Sequence, residues 1–188
     1  DSMRAYGSIS ARGGAKGGDG GLIETSGHYL DVAGINLDAS APNGNSGTWL
    51  LDPADVTITG ATANGSFTGG VFTPDTSADT ATVNVATITT LLNAGTNVTI
   101  NTANTFGSGN GDINVNAVVT WSKTGGLAPA SILTLTAVRD VVVNNAITAT
   151  FGSLVATAGR DIKVYDAITT TSGLVQLCAL RDINVVKD

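Results

Sequence analysis

The chain has 188 residues and a formal net charge of −6 at pH 7, with only 9 lysine and arginine residues. Nucleic acid as a partner would need a clustered basic face, which so few basic residues do not supply. The composition is 13% charged and 5% aromatic with 24 glycines, a usage typical of many short strands joined by tight turns. No apolar run approaches the ~20 residues of a membrane-spanning helix.

Residues 1–59 alternate short apolar and polar stretches with glycine-rich turns. We expect strands over 7–11, 21–26, 29–32, 35–39, 48–51 and 55–59, each long enough for one face of a coil. The glycine-rich stretch 13–21 lacks the G-x-x-x-x-G-K-[ST] spacing of a phosphate-binding loop, and no helix pattern follows it. It is therefore interpreted as a turn.

The sequence Gly-Thr-Trp-Leu-Leu-Asp-Pro at 47–53 lies near the end of this first part. Trp49 and Leu51 are two residues apart, so they share one face of a strand. Asp52 is held extended by the proline that follows it, and Pro53 cannot donate to a strand ladder. These four residues are predicted to form a structural coil terminus rather than a binding site.

Residues 60–95 are interpreted as an irregular insertion in which Phe67 and Phe72 are the only large anchors. A short helix is predicted near 87–94. Its apolar residues have the i, i+3, i+4 spacing of one helical face: Ile88, Leu91 and Leu92. Thr87 is the predicted N-cap, and a glycine follows the helix as a stop signal.

Residues 96–188 contain a repeat with a fixed step. The dipeptide Arg-Asp recurs at a constant interval of 21 in the numbering, as Arg139-Asp140, Arg160-Asp161 and Arg181-Asp182. Around each copy, apolar residues alternate with polar ones, as in a strand with one buried face. The predicted inward columns are Leu133/Leu154/Val175, Leu135/Ala156/Leu177, Ala137/Ala158/Ala179, Val141/Ile162/Ile183 and Val143/Val164/Val185. Two short strands per repeat are expected to meet at the Arg-Asp corner, and the six charged residues form a predicted structural corner ladder.

An earlier copy of the repeat begins at Asp112 and is lengthened by an insertion over 121–130. Leucine-rich repeats would need a recurring L-x-x-L-x-L with an asparagine, which these copies lack. A column of like residues is what a solenoid needs, because each coil lies ~4.8 Å above the last. The chain is therefore predicted to be all-β, a right-handed parallel β-helix (β-solenoid) with about 21-residue coils and Gly-rich turns. Residues 1–188 form one section, with 96–188 as its regular coils.

Several runs resemble one family of bacterial exoproteins. They are Gly7-Ser-Ile-Ser-Ala-Arg-Gly-Gly14, Gly20-Gly-Leu-Ile-Glu-Thr-Ser-Gly27 and Gly47-Thr-Trp-Leu-Leu-Asp-Pro53. Their order is similar to a recurrent shaft element of the two-partner secretion exoproteins, the filamentous-haemagglutinin-like and high-molecular-weight adhesins. The predicted helix followed by Gly-Thr-Asn-Val-Thr-Ile at 95–100 also resembles this family.

The resemblance implies a structural shaft section of a secreted or surface-anchored bacterial exoprotein that presents adhesive regions and mediates attachment. It implies three kinds of partner: flanking coils or further copies of the chain, a surface glycan or host receptor, and an outer-membrane pore during secretion. No cofactor and no enzymatic activity are expected. Because the chain begins at Asp1 rather than at a methionine, more chain is expected on at least one side.

Some polysaccharide-cleaving enzymes are β-helices with carboxylates on one face, so Asp140, Asp161 and Asp182 are candidates for acid–base chemistry. Catalytic carboxylate pairs need unlike environments, whereas these three recur in one register after an arginine. A corner aspartate that accepts backbone N–H groups, with arginine offsetting its charge, explains every copy. We predict a structural role.

The remaining candidate residues are isolated. His28, the sole histidine, is interpreted as a solvated turn residue. Cys178 is the only cysteine, so no internal disulfide is predicted, and its alignment with Thr136 and Thr157 places it on the outer face. The Gly-Ser-Gly-Asn-Gly-Asp run at 107–112 lacks the spacing and copy number of calcium-binding nonapeptides and is interpreted as a turn.

Two alternative functions stay open. A coil exposed at an end offers unpaired backbone groups, so the chain could be a self-assembling subunit that stacks end to end into an extracellular filament. The other alternative is a β-helix that binds or cleaves polysaccharide.

Overall fold

The computed structural model describes residues 2–27, 29–60, 65–68, 71–74, 80–103, 109–123 and 130–186. The strands before the helix are β1 (Ser2–Arg4), β2 (Gly7–Ser10), β3 (Leu22–Ser26), β4 (Tyr29–Asp31), β5 (Ile35–Asp38), β6 (Thr48–Asp52), β7 (Asp55–Thr59), β8 (Gly65–Thr68), β9 (Val71–Pro74) and β10 (Thr80–Asn84). The helix α1 spans Val85–Ala94. The strands after it are β11 (Asn97–Asn101), β12 (Ile113–Val115), β13 (Val119–Ser122), β14 (Ser131–Ala137), β15 (Val141–Val143), β16 (Ile147–Thr150), β17 (Gly152–Ala158), β18 (Asp161–Val164), β19 (Ile168–Thr171), β20 (Val175–Ala179) and β21 (Asp182–Val185).

The strands assemble into parallel sheets whose neighbours come from successive passes of the chain. The first sheet has the order β3-β6-β11-β14-β17-β20, the second sheet β10-β7-β12-β15-β18-β21 and the third sheet β13-β16-β19. β1 with β4 and β2 with β5 form further parallel pairs, and β8 with β9 is an antiparallel hairpin. The predicted all-β, parallel class with one short helix is confirmed.

In the last part of the chain, two successive repeats each contribute a strand to all three sheets, and the final repeat contributes β20 and β21 to the first two. One pass runs through β14, β15 and β16, and the next through β17, β18 and β19. The prediction of two strands per repeat was therefore wrong. The third strand was missed because it is only four residues long and carries threonine on its outward side, as in Ile147–Thr150.

The constant step between paired strands holds only toward the end of the chain. There the step is 21 in the numbering, since Leu133 lies opposite Leu154, which lies opposite Val175. Near the start the step is 26, from Ile23 to Trp49. The prediction of a repeat of about 21 residues throughout the chain was therefore wrong. The added length lies in loops, because a long glycine-rich loop separates β2 from β3 while a single residue, Phe151, separates β16 from β17.

The core consists of inward columns that continue from strand to strand. In the first sheet, Trp49 packs between Ile23 and Val98, and all three are buried. The predicted members of the 133–143 and 154–164 repeats are buried as well. Trp121 begins the segment interpreted from the sequence as an insertion, where it was expected to cap the coil, pack beside it or lie in a surface loop; it points inward from β13 and is 1% exposed. Its bulk is accommodated because small residues, Ala149 among them, lie beside it.

The helix α1 occupies the place of a strand between β5 and β13, both of which it contacts. Its N-cap is Asn84, whose side chain accepts a hydrogen bond from Ala86 N at 2.7 Å, so the assignment of Thr87 was wrong. Asparagine is a stronger N-cap than threonine, and starting there adds two residues to the helix. Gly95 ends it with φ +88°.

The segment 60–95 is more regular than predicted. It contains the hairpin β8–β9, in which Phe67 lies opposite Phe72, then β10 and α1. The later strand β10 pairs with β7 on the side away from β12, which places an additional strand in the second sheet.

Candidate functional site

The corner ladder lies where the chain passes from the first sheet to the second. Arg139 and Asp140 connect β14 to β15, and the equivalent dipeptides connect β17 to β18 and β20 to β21. The strand register places Asp161 directly opposite Asp182 and aligns Asp140 with Asp161. The structure therefore brings the predicted residues of all three dipeptides into one row.

The ion pairs of this row connect neighbouring repeats rather than the two residues of one dipeptide. Arg160 Nε donates to Asp140 Oδ1 at 2.7 Å, and its Nη2 donates to the other carboxylate oxygen. Arg181 holds Asp161 in the same way, with Nε to Oδ1 at 2.8 Å. Within a dipeptide the approach is longer, 3.5 Å from Arg160 Nε to Asp161 Oδ2. Bidentate pairs of this kind fix geometry as well as adding stability.

The row extends beyond the predicted residues toward the start of the chain. Arg139 binds Asp112 through both carboxylate oxygens, with Nε to Oδ1 at 2.7 Å. Asp112 N in turn donates to Asp55 Oδ1 at 2.6 Å, and Asn110 N donates to Asp55 Oδ2 at 3.1 Å. The alignment of Asp112 with Asp140 was visible in sequence. The part played by Asp55 was not, because 57 residues separate it from Asp112.

Lys163 is a member of the site that sequence reasoning missed. Its Nζ lies 2.9 Å from Asp140 Oδ2 and 3.8 Å from Asp161 Oδ2. Lys163 is two residues after Asp161 on the same strand, a spacing that directs both side chains to one face. That spacing was the available signal. The equivalent residues in the neighbouring repeats, Val142 and Asn184, carry no charge.

The carboxylates of Asp140 and Asp161 are buried, with exposures of 3% and 2%. Hydrogen bonds from Arg160 hold the pKa of the Asp140 carboxyl far below its ordinary value, with Lys163 acting in the same direction. Hydrogen bonds from Arg181 lower the pKa of Asp161. Asp140 also accepts from the backbone N–H of Asp161 at 3.3 Å. Carboxylates held in this way are poor proton donors at neutral pH, so the geometry suits cross-linking of strands.

The predicted coil-terminus motif lies inside the stack, since β6 is flanked by β3 and β11. Trp49 and Leu51 share the buried face as predicted, and each is 0% exposed. The indole N–H of Trp49 donates to Thr25 Oγ1 at 3.0 Å. The strand ends at Asp52, and Pro53 forms the corner before β7 begins at Asp55, so the motif turns the chain between two sheets rather than ending a coil.

The other candidate positions from the sequence are His28, Cys178 and the glycine-rich run at 107–112. His28 and residues 104–108 lie outside the described residues. Cys178 is exposed opposite Thr157, as its alignment predicted. A crevice of about 250 Å³ separates β5 from α1 and is lined by Asn36, Leu37 and Thr90 among others. In the described part of the chain, no three His, Cys, Asp or Glu side chains are grouped as metal ligands.

No family model and no curated protein matches the chain. None of the helices in the described residues is long and apolar enough to cross a membrane.

Proposed function

We propose that the chain is a right-handed parallel β-solenoid that serves as a shaft section of a secreted or surface-anchored bacterial exoprotein. Its role is mechanical: it holds adhesive regions away from the cell. Its partners are the flanking coils of the same exoprotein, an outer-membrane pore during secretion, and a surface glycan or host receptor contacted by the adhesive regions. The resemblance of the 7–14, 20–27 and 47–53 runs to two-partner secretion exoproteins supports this proposal.

The observation that carries the proposal is the continuity of the buried columns across successive strands. In the regular part, paired residues of neighbouring strands are separated by the same number of positions in all three sheets. Examples are Ile147 opposite Ile168 and Val141 opposite Ile162. In a solenoid the chain returns to each sheet once per repeat, and each buried side chain packs on the equivalent side chain of the preceding repeat. Each pass through the three sheets is one coil of the proposed solenoid.

The energetics suit a rod that is stable without a ligand. The repeat from 154 to 164 buries Leu154, Ile162 and Val164, together with two alanines. Large aliphatic side chains contribute roughly 1.5–3 kcal/mol each when buried, so each added coil supplies its own stabilisation. The bidentate Arg–Asp pairs of the corner ladder connect each of these coils to the preceding one. Cross-links between coils support a mechanical role rather than catalysis.

Removing one whole coil tests the solenoid. Deletion of residues 154–174 joins Ser153 to Val175, which takes the register position of Leu154. Arg181 then meets Asp140 in place of Arg160. We expect the shortened chain to retain its far-UV circular dichroism per residue and a cooperative unfolding transition, because every column remains continuous.

The matched control deletes residues 154–164, about half a coil, which joins strands of different sheets and should abolish cooperative unfolding. Equal behaviour of the two deletions would contradict the solenoid.

The shaft role is tested by incubating the intact chain with immobilised polysaccharides and host-cell surfaces. Saturable binding by the chain alone would contradict a purely presentational section.

A self-assembling filament subunit is the second candidate, and one specific observation favours it. Apolar side chains are exposed on the last strands and turns of the chain, including Leu180, Ile183 and Val185. Contact with a further coil, whether of another copy or of the same exoprotein, would remove them from water. Sedimentation velocity over a wide concentration range tests it, and a single monomeric species throughout would contradict it.

A further inference from the structure

The crevice between β5 and α1 lies beside a strand edge that has no neighbouring strand. On its other side β5 pairs with β2, where Ala11 N donates to Asp38 O at 2.8 Å. Successive residues of a strand in a parallel sheet direct their N–H and C=O groups to opposite sides, so those of Leu37 point away from β2. On that side lies α1, whose own backbone groups are bonded within the helix. Leu37 therefore faces a neighbour that cannot pair with it as a strand would.

Other backbone groups beside α1 are satisfied by side chains. Ala39 N, at the end of β5, donates to Thr96 Oγ1 at 3.1 Å. On the far side of the helix, Ser122 N donates to Asn93 Oδ1 at 2.7 Å, so α1 itself serves the edge of β13. Within the described part of the chain, the N–H of Leu37 has no such acceptor, although this residue is only 4% exposed. A buried backbone group without a partner is unfavourable, so this position is suited to a ligand that supplies one.

The crevice is small, and its second wall carries hydroxyl groups. It has a volume of about 250 Å³ and extends along β5 from Ile35 to Leu37, about 7 Å at the strand rise of ~3.4 Å per residue. Thr87 and Thr90 line it from α1, and neither hydroxyl bonds another of the described residues. A ligand that fits here is therefore short, and it offers both a hydrogen-bond donor and an acceptor to Leu37.

We propose that this crevice is a strand-addition site for a short, uncharged, extended segment of another polypeptide. In an antiparallel pair, two residues that lie opposite each other can exchange both of their N–H···O bonds, so a single residue of the segment satisfies the N–H and the C=O of Leu37 together. In a parallel pair the same two bonds would go to two different residues of the segment. The short crevice therefore favours the antiparallel direction. Affinity in this mode of binding comes from main-chain hydrogen bonds.

The walls of the crevice restrict which segments fit. None of its lining residues is charged, so a charged residue would lose hydration there without gaining a partner. The helix lies against β5, which leaves room only for a small side chain opposite Leu37. Ile35 and Leu91 supply apolar surface beside the hydroxyls. Such a site gives the proposed shaft a lateral partner, one that attaches to its side.

The test titrates the isotopically labelled full chain with the blocked tripeptide acetyl-Thr-Ala-Thr-amide and follows the backbone amide resonances by NMR. The amide proton of Leu37 should shift downfield and the shift should saturate, because this N–H gains an acceptor. In the control ligand, lactic acid replaces the central alanine, so an ester oxygen stands where the donor was. This ligand should bind roughly fivefold more weakly, since it cannot donate to the carbonyl of Leu37.

Two variants of α1 separate the crevice from the rest of the helix. Thr90→Val removes one hydroxyl from the wall while keeping the shape of the side chain, and it should weaken binding of the tripeptide several-fold. Thr89→Val is the matched control, because Thr89 Oγ1 donates to Ala86 O at 3.2 Å and Thr89 lies outside the crevice. It should leave the affinity unchanged. Far-UV circular dichroism checks that both variants retain the fold.

Several results would overturn the proposal: a Leu37 resonance that does not shift or does not saturate, equal binding of the ester ligand, or equal effects of the two valine variants. Saturation of the same resonances by glucose at the affinity of the tripeptide would also overturn it, because the crevice would then accept a saccharide. The 154–174 deletion leaves β5 and α1 unchanged, so it tests the shaft separately. If that deletion folds while the tripeptide fails to bind, only the strand-addition site is disproved.

Discussion

Replacing Trp49 by alanine is expected to lower the free energy of unfolding by about 3–5 kcal/mol, the range for truncating a fully buried aromatic side chain. Trp49 is 0% exposed and packs between Ile23 and Val98 in a buried column. The change also leaves Thr25 Oγ1 without the indole N–H that it accepts at 3.0 Å. Urea unfolding followed by circular dichroism measures the loss, and Trp121 remains as a fluorescent reporter.

Leu50→Ala is the matched control, because Leu50 is next in sequence but points outward and is only half-buried. Its truncation should cost less than about 1 kcal/mol. Equal losses for the two variants would mean that the inward and outward faces of β6 are wrongly assigned.

The second large effect is expected for Asp140→Asn. At neutral pH this change should lower the free energy of unfolding by about 2 kcal/mol, since the carboxylate accepts charge-assisted hydrogen bonds from Arg160 and Lys163. Asparagine keeps the size of the side chain but offers only one acceptor oxygen, so a bidentate pair is no longer formed. Asp182→Asn, at the equivalent exposed position, should change stability by less than about 0.5 kcal/mol.

The effect of Asp140→Asn should depend on pH in a defined direction. The folded state lowers the pKa of Asp140 below the unfolded-state value of about 3.9. The stabilisation by the carboxylate is therefore complete above the unfolded-state pKa and is lost as pH falls through the folded-state pKa. The stability gap between the unchanged chain and the variant should be constant above about pH 5 and narrow below about pH 4. A gap that widened on acidification would contradict this assignment.

Much of the regular part of the fold was predictable because its signals are local. Alternation of apolar and polar residues sets the inward face of a strand within five or six residues, and Trp49, Leu51, Leu133 and Leu154 all point inward as predicted. Proline after Asp52 ended β6 at the expected place. The limits of six strands in residues 1–59 were predicted to within one residue at each end.

Two features of the fold could not be predicted in this way. The strand β10 pairs with β7, although the chain between them includes a separate hairpin. Nothing in the sequence of either strand encodes that order, because parallel neighbours are selected by the space left between other strands. The placement of α1 against β5 and β13 is likewise a property of the assembled layers.

The corner ladder separates what the sequence by itself determined from what only the tertiary structure decided. The sequence determined that Arg-Asp recurs at a constant interval between inward columns, and therefore that the charges lie in a row at a corner. It did not determine the partner of each aspartate, because the arginine in its own dipeptide and the one in the next repeat are equally compatible with the spacing. Tertiary structure selected the next repeat. The strand one spacing away places Arg160 where two of its guanidinium nitrogens, Nε and Nη2, bond Asp140, whereas Asp161, its neighbour in sequence, is reached only at 3.5 Å.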